Sequence, residues 1–225
     1  MISCIIPAYN EGPRIRAVAA LAVAHPQIAE VIVVDDGSRD DTAAQAAEVR
    51  GLRLIRQPRN MGKTAAVARG IHEARGDLIL LLDADLIGLT TDDLTALIAP
   101  VTAGRADMSI SLRGNTPAPW RWIGLDYISG ERVLSRNLLA PHLDRLNALP
   151  RFGLEVFMNQ LLVQAPLRLA VVGWPEVKSP LKSAKLGLWR GLRADMAMIA
   201  DMMRTHGPLR LARQIIAMRR MRVTS

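Results

Sequence analysis

Two aspartates one residue apart, Asp83 and Asp85, directly follow the apolar run 78–82. Carboxylates beside a buried strand are costly without a positive partner. Carboxylate oxygens are the hard ligands that Mg²⁺ and Mn²⁺ prefer, together with oxygens of a substrate phosphate. A lone Asp-X-Asp is common and could be a solvated turn. Its place after a buried strand instead predicts a divalent-cation site that could neutralise a departing diphosphate.

A second acidic pair, Asp35 and Asp36, follows the apolar run 31–34. A turn with Ser38 as a helix N-cap, and Asp41 completing a capping box, would explain the serine. It would leave the two adjacent aspartates without a role. The alternative is that one of them accepts a hydrogen bond from a nucleobase imide or a ribose hydroxyl, which implies a nucleotide ligand.

A phosphate-binding loop is suggested by Gly62 and Lys63 within 60–64. The Walker pattern requires a glycine five residues before Gly62. Gln57 stands at that position, so the P-loop hypothesis fails. Lys63 at a helix start could still contact a phosphate or a base, or it could be an ordinary exposed lysine.

The first half of the chain must position these side chains, and its apolar runs alternate with helical stretches. The runs resemble strands buried on both faces of a parallel sheet. The alternation predicts a doubly wound α/β sheet, in which ligands bind beyond the carboxyl ends of the strands. The expected strands are 2–6, 31–34, 52–55 and 78–82, and the expected helices are 11–24, 40–50 and 61–75.

The second half is less regular. We expect helices at 92–103, 131–139, 154–164 and 209–222, strands at 106–112 and 167–172, and loops at 114–120 and 173–180. An apolar stripe from Trp189 to Met203 predicts a further helix. In the last helix, Arg210, Arg213 and Arg220 lie close together, with Leu211, Ile215 and Met218 roughly opposite.

The charge of the 225 residues is unevenly distributed. Residues 1–177 hold 18 basic and 19 acidic residues, whereas 178–225 hold 11 basic and 2 acidic residues. With only 4% aromatic residues, this distribution argues against a nucleic-acid binder. A basic helical segment favours a local anionic partner, either a membrane surface contacted through 187–225 or a charged substrate. A merely solvated surface is the alternative.

Several classes of protein are excluded by composition. A chain that is 50% hydrophobic and 22% charged is not disordered in bulk. The single cysteine, Cys4, cannot form an internal disulfide, and the four histidines lack the spacing of metal ligands. The N-terminus lacks the basic region of a signal peptide. We therefore expect a cytoplasmic protein, with peripheral attachment to the inner face of the plasma membrane as the alternative.

Four segments, taken in chain order, resemble the motifs of glycosyltransferase family 2. They are IIPAYNE at 5–11, VVDDGS at 33–38, NMGK at 60–63 and LLDADL at 81–86. The resemblance implies the GT-A fold, an α/β Rossmann-like nucleotide-binding sheet with helices on both faces, here followed by basic C-terminal helices. It also implies transfer of a sugar from a nucleotide diphosphate sugar with Mg²⁺ or Mn²⁺, usually with inversion.

The same resemblance assigns roles by position. It implies a nucleotide-sugar site formed by Pro7, Tyr9, Glu11, Val34, Asp35, Asp36, Lys63, Asp83, Ala84 and Asp85. Asp36 would bind the base or ribose, and Asp83 and Asp85 would hold the metal and diphosphate. The implied domain spans 1–177, with a nucleotide-sugar half at 1–112 and an acceptor half at 113–177. A basic helical extension follows it at 178–225.

The later segments are most similar to polyprenyl- or dolichyl-phosphate sugar transferases, which implies a lipid-phosphate acceptor. The matches are SLR at 111–113, SGER at 129–132 and SAKLG at 183–187. They imply that Arg113, Arg132 and Lys185 contact phosphates, and Lys178 is a further candidate.

Two alternatives stay open at this point. Retaining glucosyl-phosphoglycerate synthases share the first-half motifs, so transfer to a small soluble acceptor is possible, as is a non-catalytic nucleotide-binding module. A hydroxyl acceptor would require a base, for which Glu155 is the first candidate and Glu131 the second.

The sequence also departs from the relatives after Asp85, where Leu86-Ile87-Gly88 replaces their usual Leu-Gln-His.

Overall fold

A computed structural model describes residues 1–146, 153–165, 167–180 and 207–223 of the chain. The predicted alternation of strands and helices is confirmed in the first half. The elements are β1 (Ile2–Ala8), α1 (Gly12–Ala24), β2 (Ile28–Asp35), α2 (Thr42–Ala47), β3 (Leu52–Arg56), α3 (Lys63–Glu73) and β4 (Leu78–Leu81).

The second half contains shorter elements. They are α4 (Thr91–Thr102), β5 (Met108–Arg113), α5 (Ala118–Ile123), β6 (Arg132–Ser135), α6 (Arg136–Leu139), a 3₁₀ turn (Ala140–His142), α7 (Leu143–Leu146), α8 (Gly153–Val163), β7 (Leu169–Trp174) and α9 (Pro208–Arg220).

The seven strands form one mixed sheet in the order β3-β2-β1-β4-β6-β5-β7. β1 pairs in parallel with both β2 and β4, and Cys4 lies between Val31 and Leu80. β6 runs antiparallel to its neighbours β4 and β5. Because β1, β2 and β4 are parallel, their carboxyl ends meet at one edge of the sheet, which is where the acidic pairs lie.

Side chains on the two faces of the sheet pack into two apolar clusters. Ile5 faces the cluster that includes α3 and α8, whereas Ile6 faces the one that includes α1 and α4. The period of two along a strand sends successive side chains to opposite faces, so a continuous apolar run serves both clusters. The predicted α/β sheet with helices on both faces is therefore confirmed.

The helix predicted at 131–139 is wrong. Residues Arg132–Ser135 form strand β6, and only Arg136–Leu139 are helical. The backbone of this segment pairs with both β4 and β5, between which it lies. Val133 and Leu134 are fully buried there. The loop predicted at 114–120 is also too long, because α5 begins at Ala118.

Ser38 is not a helix N-cap, contrary to the simpler of the two interpretations of its motif. α2 begins at Thr42, four residues later. The Ser38 hydroxyl instead accepts a hydrogen bond from the backbone N–H of Asn10, at 3.0 Å. This contact joins the loops that follow β1 and β2, so the serine helps to shape the ligand-binding edge.

The last helix, α9, packs against the rest of the protein. Leu211 and Met218 are buried in the same apolar cluster as α8. Beyond the helix, the backbone N–H groups of Leu169 and Val223 donate to Met221 and Leu169 respectively, both at 2.9 Å. The helix predicted from Trp189 to Met203 lies outside the described residues. In the part of the chain that is described, no helix has the length and apolar character needed to span a membrane.

Candidate active site

A cleft of about 630 Å³ opens at the carboxyl ends of β1, β2 and β4. It contains most of the residues predicted to bind a nucleotide sugar, namely Pro7, Tyr9, Glu11, Asp36, Lys63, Asp83, Ala84 and Asp85. Two predicted members do not line it. Val34 is fully buried in the core, and Asp35 is 1% exposed, with one carboxylate oxygen accepting from the Ser38 N–H at 3.0 Å.

Lys63 links the two catalytic candidates that are most distant in sequence. Its Nζ lies 2.7 Å from Asp83 Oδ1 and 3.2 Å from Glu155 Oε1. Burial disfavours the charged ammonium, but the carboxylates of Asp83 and Glu155 outweigh burial and hold the pKa of Lys63 above its usual range. The start of α3 and the start of α8 therefore meet in one ion-paired network beside the Asp-X-Asp motif.

Asp85 lies in a more negative environment than Asp83. Burial, with the nearby carboxylates of Asp83 and Glu11, raises the pKa of Asp85 to about 6. The pKa of Asp83 is lowered despite burial, because Lys63 and Arg113 lie close to it. Among the described residues, Asp83 forms an ion pair with Lys63, whereas no ion pair is formed by Asp85.

A divalent cation fits this donor set. Two carboxylates offer hard oxygen ligands, and the unfavourable charge of Asp85 is what a cation would relieve. Within the described ranges, no three Asp, Glu, His or Cys side chains are arranged to hold an ion. Mg²⁺ is commonly bound by one or two carboxylates together with water and substrate oxygens.

The backbone at Gly130 lies directly against Asp83. A Cβ atom built on Gly130 would be 2.6 Å from Asp83 Oδ1 and 2.7 Å from Oδ2. The next residue, Glu131, is fully buried, and burial raises its pKa. Glu131 accepts hydrogen bonds from Ser111 at 2.6 Å and from Arg113 at 3.2 Å. Glu131 therefore holds Arg113 near Asp83, and its carboxylate does not line the cleft.

Asp36 closes the loop between β3 and α3. Its two carboxylate oxygens accept the backbone N–H groups of Met61 and Gly62, at 2.7 and 2.8 Å. Burial raises the pKa of Asp36, and these N–H groups only partly offset it. In this arrangement Asp36 positions Lys63 at the first turn of α3, a role that the sequence did not suggest.

The four residues predicted to bind the acceptor differ in their position relative to the cleft. Arg113 is mostly buried between Glu131 and Asp126, and it also donates to the Ser179 hydroxyl. Lys178 has an exposed side chain, and its backbone pairs with Ile87 just beyond Asp85. Lys185 lies outside the described residues.

Arg132 does not reach the cleft, contrary to the prediction. It is 0% exposed and donates to Asn159 Oδ1 at 2.6 Å and to the Ser129 carbonyl at 2.7 Å. Because β6 is a central strand, a side chain at this position points into the core. Arg132 therefore holds the 127–131 segment against α8.

The sequence analysis missed Asn115 and Ser179. The Asn115 side chain donates to the Ser179 carbonyl at 2.7 Å and accepts a hydrogen bond from the Ser179 N–H at 3.3 Å. This pair fixes the loop after β5 to the segment after β7, which places Arg113 beside the cleft. The only available signal was the Gly-Asn sequence typical of an ordered turn.

Comparisons with known proteins agree with this geometry. The family model described as "Glycosyl transferase family 2" matches residues 3–153. The dodecaprenyl-phosphate galacturonate synthase of Rhizobium johnstonii is 36% identical over 123 residues, covering 51% of this chain and 36% of that protein. A dolichyl-phosphate beta-glucosyltransferase of Trichomonas vaginalis is 44% identical over 94 residues, covering 36% of this chain and 28% of that protein. The chain thus spans about a third of the length of these relatives.

The fold is also shared with solved structures. A glucosyl-3-phosphoglycerate synthase of Mycobacterium tuberculosis, in complex with Mn²⁺, uridine diphosphate and phosphoglyceric acid, superposes with a TM-score of 0.67 at 22% identity, covering 96% of this chain and 78% of that one. Its complex with phosphoglyceric acid gives 0.63 at 24% identity, covering 82% and 74%. These likenesses establish the GT-A architecture. The family match covers well over half of the chain and contains all four ordered motifs, and the chain therefore belongs to glycosyltransferase family 2.

Proposed function

We propose that the protein transfers a sugar from a nucleotide diphosphate sugar to a polyprenyl phosphate. The observation that carries the proposal is the cleft in which Asp83, Asp85 and Lys63 meet at the carboxyl ends of the parallel strands. The names of the sequence relatives, which act on dodecaprenyl and dolichyl phosphates, support this acceptor class. The reaction would take place at the cytoplasmic face of the membrane that holds the acceptor.

Mg²⁺ or Mn²⁺ is the proposed cofactor, with Asp85 as its principal ligand and Asp83 as the second. When bound, the cation would neutralise the charge of the departing nucleoside diphosphate. The titles of solved structures with this fold include Mn²⁺ and uridine diphosphate, which supports this assignment.

The chain's own residues would orient the reactants. Lys63 is cationic and borders the cleft, so its ammonium can contact the diphosphate once the donor is bound. Arg113 offers a planar guanidinium beside the same site, a geometry suited to a phosphate of the acceptor. Both charges are held in place by buried carboxylates before substrate arrives, which reduces reorganisation during the reaction.

Nucleophilic attack by a phosphate needs no protein base, because the acceptor is already anionic. This suits the environment of Glu155, whose side chain is 7% exposed and is paired with Lys63. Direct displacement at the anomeric carbon would invert its configuration. In this scheme Glu155 positions Lys63 and does not take a proton.

A second candidate is transfer to a small soluble phosphorylated acceptor with retention. The extent of the structural likeness to glucosyl-3-phosphoglycerate synthases favours it, since one such superposition covers 96% of the chain. A hydroxyl acceptor of this kind carries a proton that must be removed, which would return Glu155 to the role of base. The anomeric configuration of the product separates the two candidates.

The test measures sugar transfer from a panel of nucleotide diphosphate sugars to undecaprenyl phosphate or to 3-phosphoglycerate, with and without Mn²⁺. We expect Asp85→Asn to lower kcat by about a hundredfold or more, the effect typical of losing one preorganised electrostatic group. The exposed Asp92→Asn is the matched control and should retain full activity. Wild-type turnover by Asp85→Asn would contradict the proposed site. Donor hydrolysis without transfer to either acceptor would contradict both proposed acceptor classes.

A further inference from the structure

The outward face of α9 combines apolar and basic side chains in one stripe. Leu209, Arg213, Ile216 and Arg220 follow each other at spacings of four, three and four residues, which places them on one side of the helix. All four are exposed, and Leu209 and Ile216 are 76% and 52% exposed. The opposite side of α9 contributes Leu211 and Met218 to the core, so the outward stripe is not part of that packing.

Trp122 on α5 is a second exposed apolar group in the same region. Its side chain is 85% exposed, the largest exposed fraction among the large apolar residues of the described ranges. Two residues later, the backbone of Gly124 lies against Arg222, since a Cβ atom built there would be 2.9 Å from Arg222 Nη1. The Tyr127 hydroxyl also donates to Gln214 of α9. The segment that follows α5 therefore contacts α9 and the residue two positions beyond its end.

The same helix α5 contacts the loop that follows Arg113. α5 follows β5 after a short loop, and Arg121 Nη1 lies 3.5 Å from the carbonyl oxygen of Gly114. Gly114 directly follows Arg113, the cation that borders the site. A partner bound to Trp122 would thus contact the helix that touches the residue after Arg113.

We propose that Trp122 and the outward stripe of α9 form a docking surface for a bilayer containing anionic phospholipids. Tryptophan and the aliphatic residues suit the boundary between headgroups and acyl chains, and the arginines suit the anionic headgroups. Residues 207–223 contain five arginines and no acidic residue. The inference concerns the surface alone and holds whichever acceptor the cleft uses.

Charge favours the bilayer over a second copy of the chain. A symmetric dimer through this face would bring identical patches together. The arginines of α9 would then face the arginines of the other copy, without a carboxylate on the helix to pair with them. An anionic lipid surface is complementary to the same patch.

The test measures partitioning of the full chain onto vesicles of phosphatidylcholine with increasing phosphatidylglycerol. Because each basic residue near such a surface contributes about fivefold to binding, Arg213→Ser with Arg220→Ser should lower the partition coefficient about thirtyfold. Arg50→Ser with Arg75→Ser is the matched control, since these exposed arginines precede β3 and β4 on the other half of the sheet. The control pair should bind as the wild type does.

Trp122 gives an independent measurement. Binding should shift tryptophan emission to shorter wavelength, and Trp122→Ser should weaken binding, whereas Trp122→Phe should restore most of it. Thermal unfolding of each variant verifies that it is folded. The proposal is overturned if Trp122→Ser or the arginine pair partitions like the wild type. It is also overturned if light scattering shows a dimer that Trp122→Ser converts to a monomer, because the surface would then be an interface between copies.

Discussion

Asp85 is the residue whose charge depends most directly on its surroundings. With its pKa raised to about 6 by burial and by the carboxylates of Asp83 and Glu11, it holds a proton at pH values where an ordinary aspartate is ionised. A metal ligand must be deprotonated. We therefore predict that Mn²⁺ affinity is constant above about pH 7 and falls about tenfold per pH unit below pH 6.

This prediction is checked by titrating Mn²⁺ at a series of pH values and following free Mn²⁺ by electron paramagnetic resonance. Asp85→Asn is the control, since it lacks the titrating carboxylate and should show weak binding with little pH dependence. Affinity of the wild type that does not change between pH 7 and about pH 5 would contradict the assignment of Asp85 as a ligand.

Gly130 should be required because of its contact with Asp83. A Cβ atom at this position would come within 2.6 Å of Asp83 Oδ1, closer than real Cβ contacts allow, so the carboxylate would have to move. We expect Gly130→Ala to lower metal affinity and kcat by tenfold or more, since small displacements of catalytic groups have effects of about a hundredfold. Gly173→Ala is the control, because a Cβ atom there meets nothing within 4 Å. Equal metal affinity of the two variants would refute the positioning role.

At the residue scale, the sequence predicts that acidic pairs lie at strand ends. It does not predict which of the adjacent side chains line the cleft with them. Val34 and Asp35 are both buried, because helices cover both faces of the sheet up to the end of β2. Asp36 was expected to bind a base or ribose. Its carboxylate instead accepts the N–H groups of Met61 and Gly62, and this contact depends on the path of the loop between β3 and α3. Such contacts between distant segments are not encoded in a local motif.

At the scale of elements, helix α4 has the best-defined beginning. The Thr90 side chain accepts the Asp93 N–H at 3.2 Å, and the Asp93 side chain accepts the Thr90 N–H at 2.9 Å, which together form a capping box. We predict that Thr90→Ala lowers the free energy of unfolding by about 1 kcal/mol. Thr90→Ser should retain most of it.

Urea denaturation measures this difference. Thr102→Ala is the matched control at the other end of α4, where the hydroxyl donates to the Ile98 carbonyl and caps no N–H group. An unfolding free energy for Thr90→Ala that equals that of Thr102→Ala would show that the capping box does not stabilise the helix.

β6 shows why one element was assigned incorrectly from the sequence. The segment 131–139 has leucine and arginine at spacings that suit a helix, and intrinsic preference is only a weak guide. Its backbone is fixed by pairing with β4 and β5, strands that are far away in the sequence. The four-residue strand is too short to show a period of two clearly, so only the sheet as a whole determines its conformation.

At the scale of the whole molecule, the distribution of charge distinguishes the C-terminal region from the rest of the sequence but does not show how that region is attached. The domain limits at 177 and 178 remain a prediction. In the structure, Lys178 pairs with Ile87 beside the cleft, and α9 packs against α8. A helix that is basic outside and apolar inside can belong to the core and to a surface at once, and sequence periodicity alone does not separate these roles.

Substitution of Met218 and of Ile216 tests the core role and the surface role of α9 separately. Met218 is 0% exposed in the main core cluster, whereas Ile216 is 52% exposed. Met218→Ala should lower the free energy of unfolding by about 3 kcal/mol, because it leaves a cavity in a packed core. Ile216→Ala should change stability by less than about 0.5 kcal/mol and should weaken vesicle binding instead. If Met218→Ala were as stable as Ile216→Ala, α9 would be a dispensable appendage, and deleting it would then be a valid way to test membrane docking.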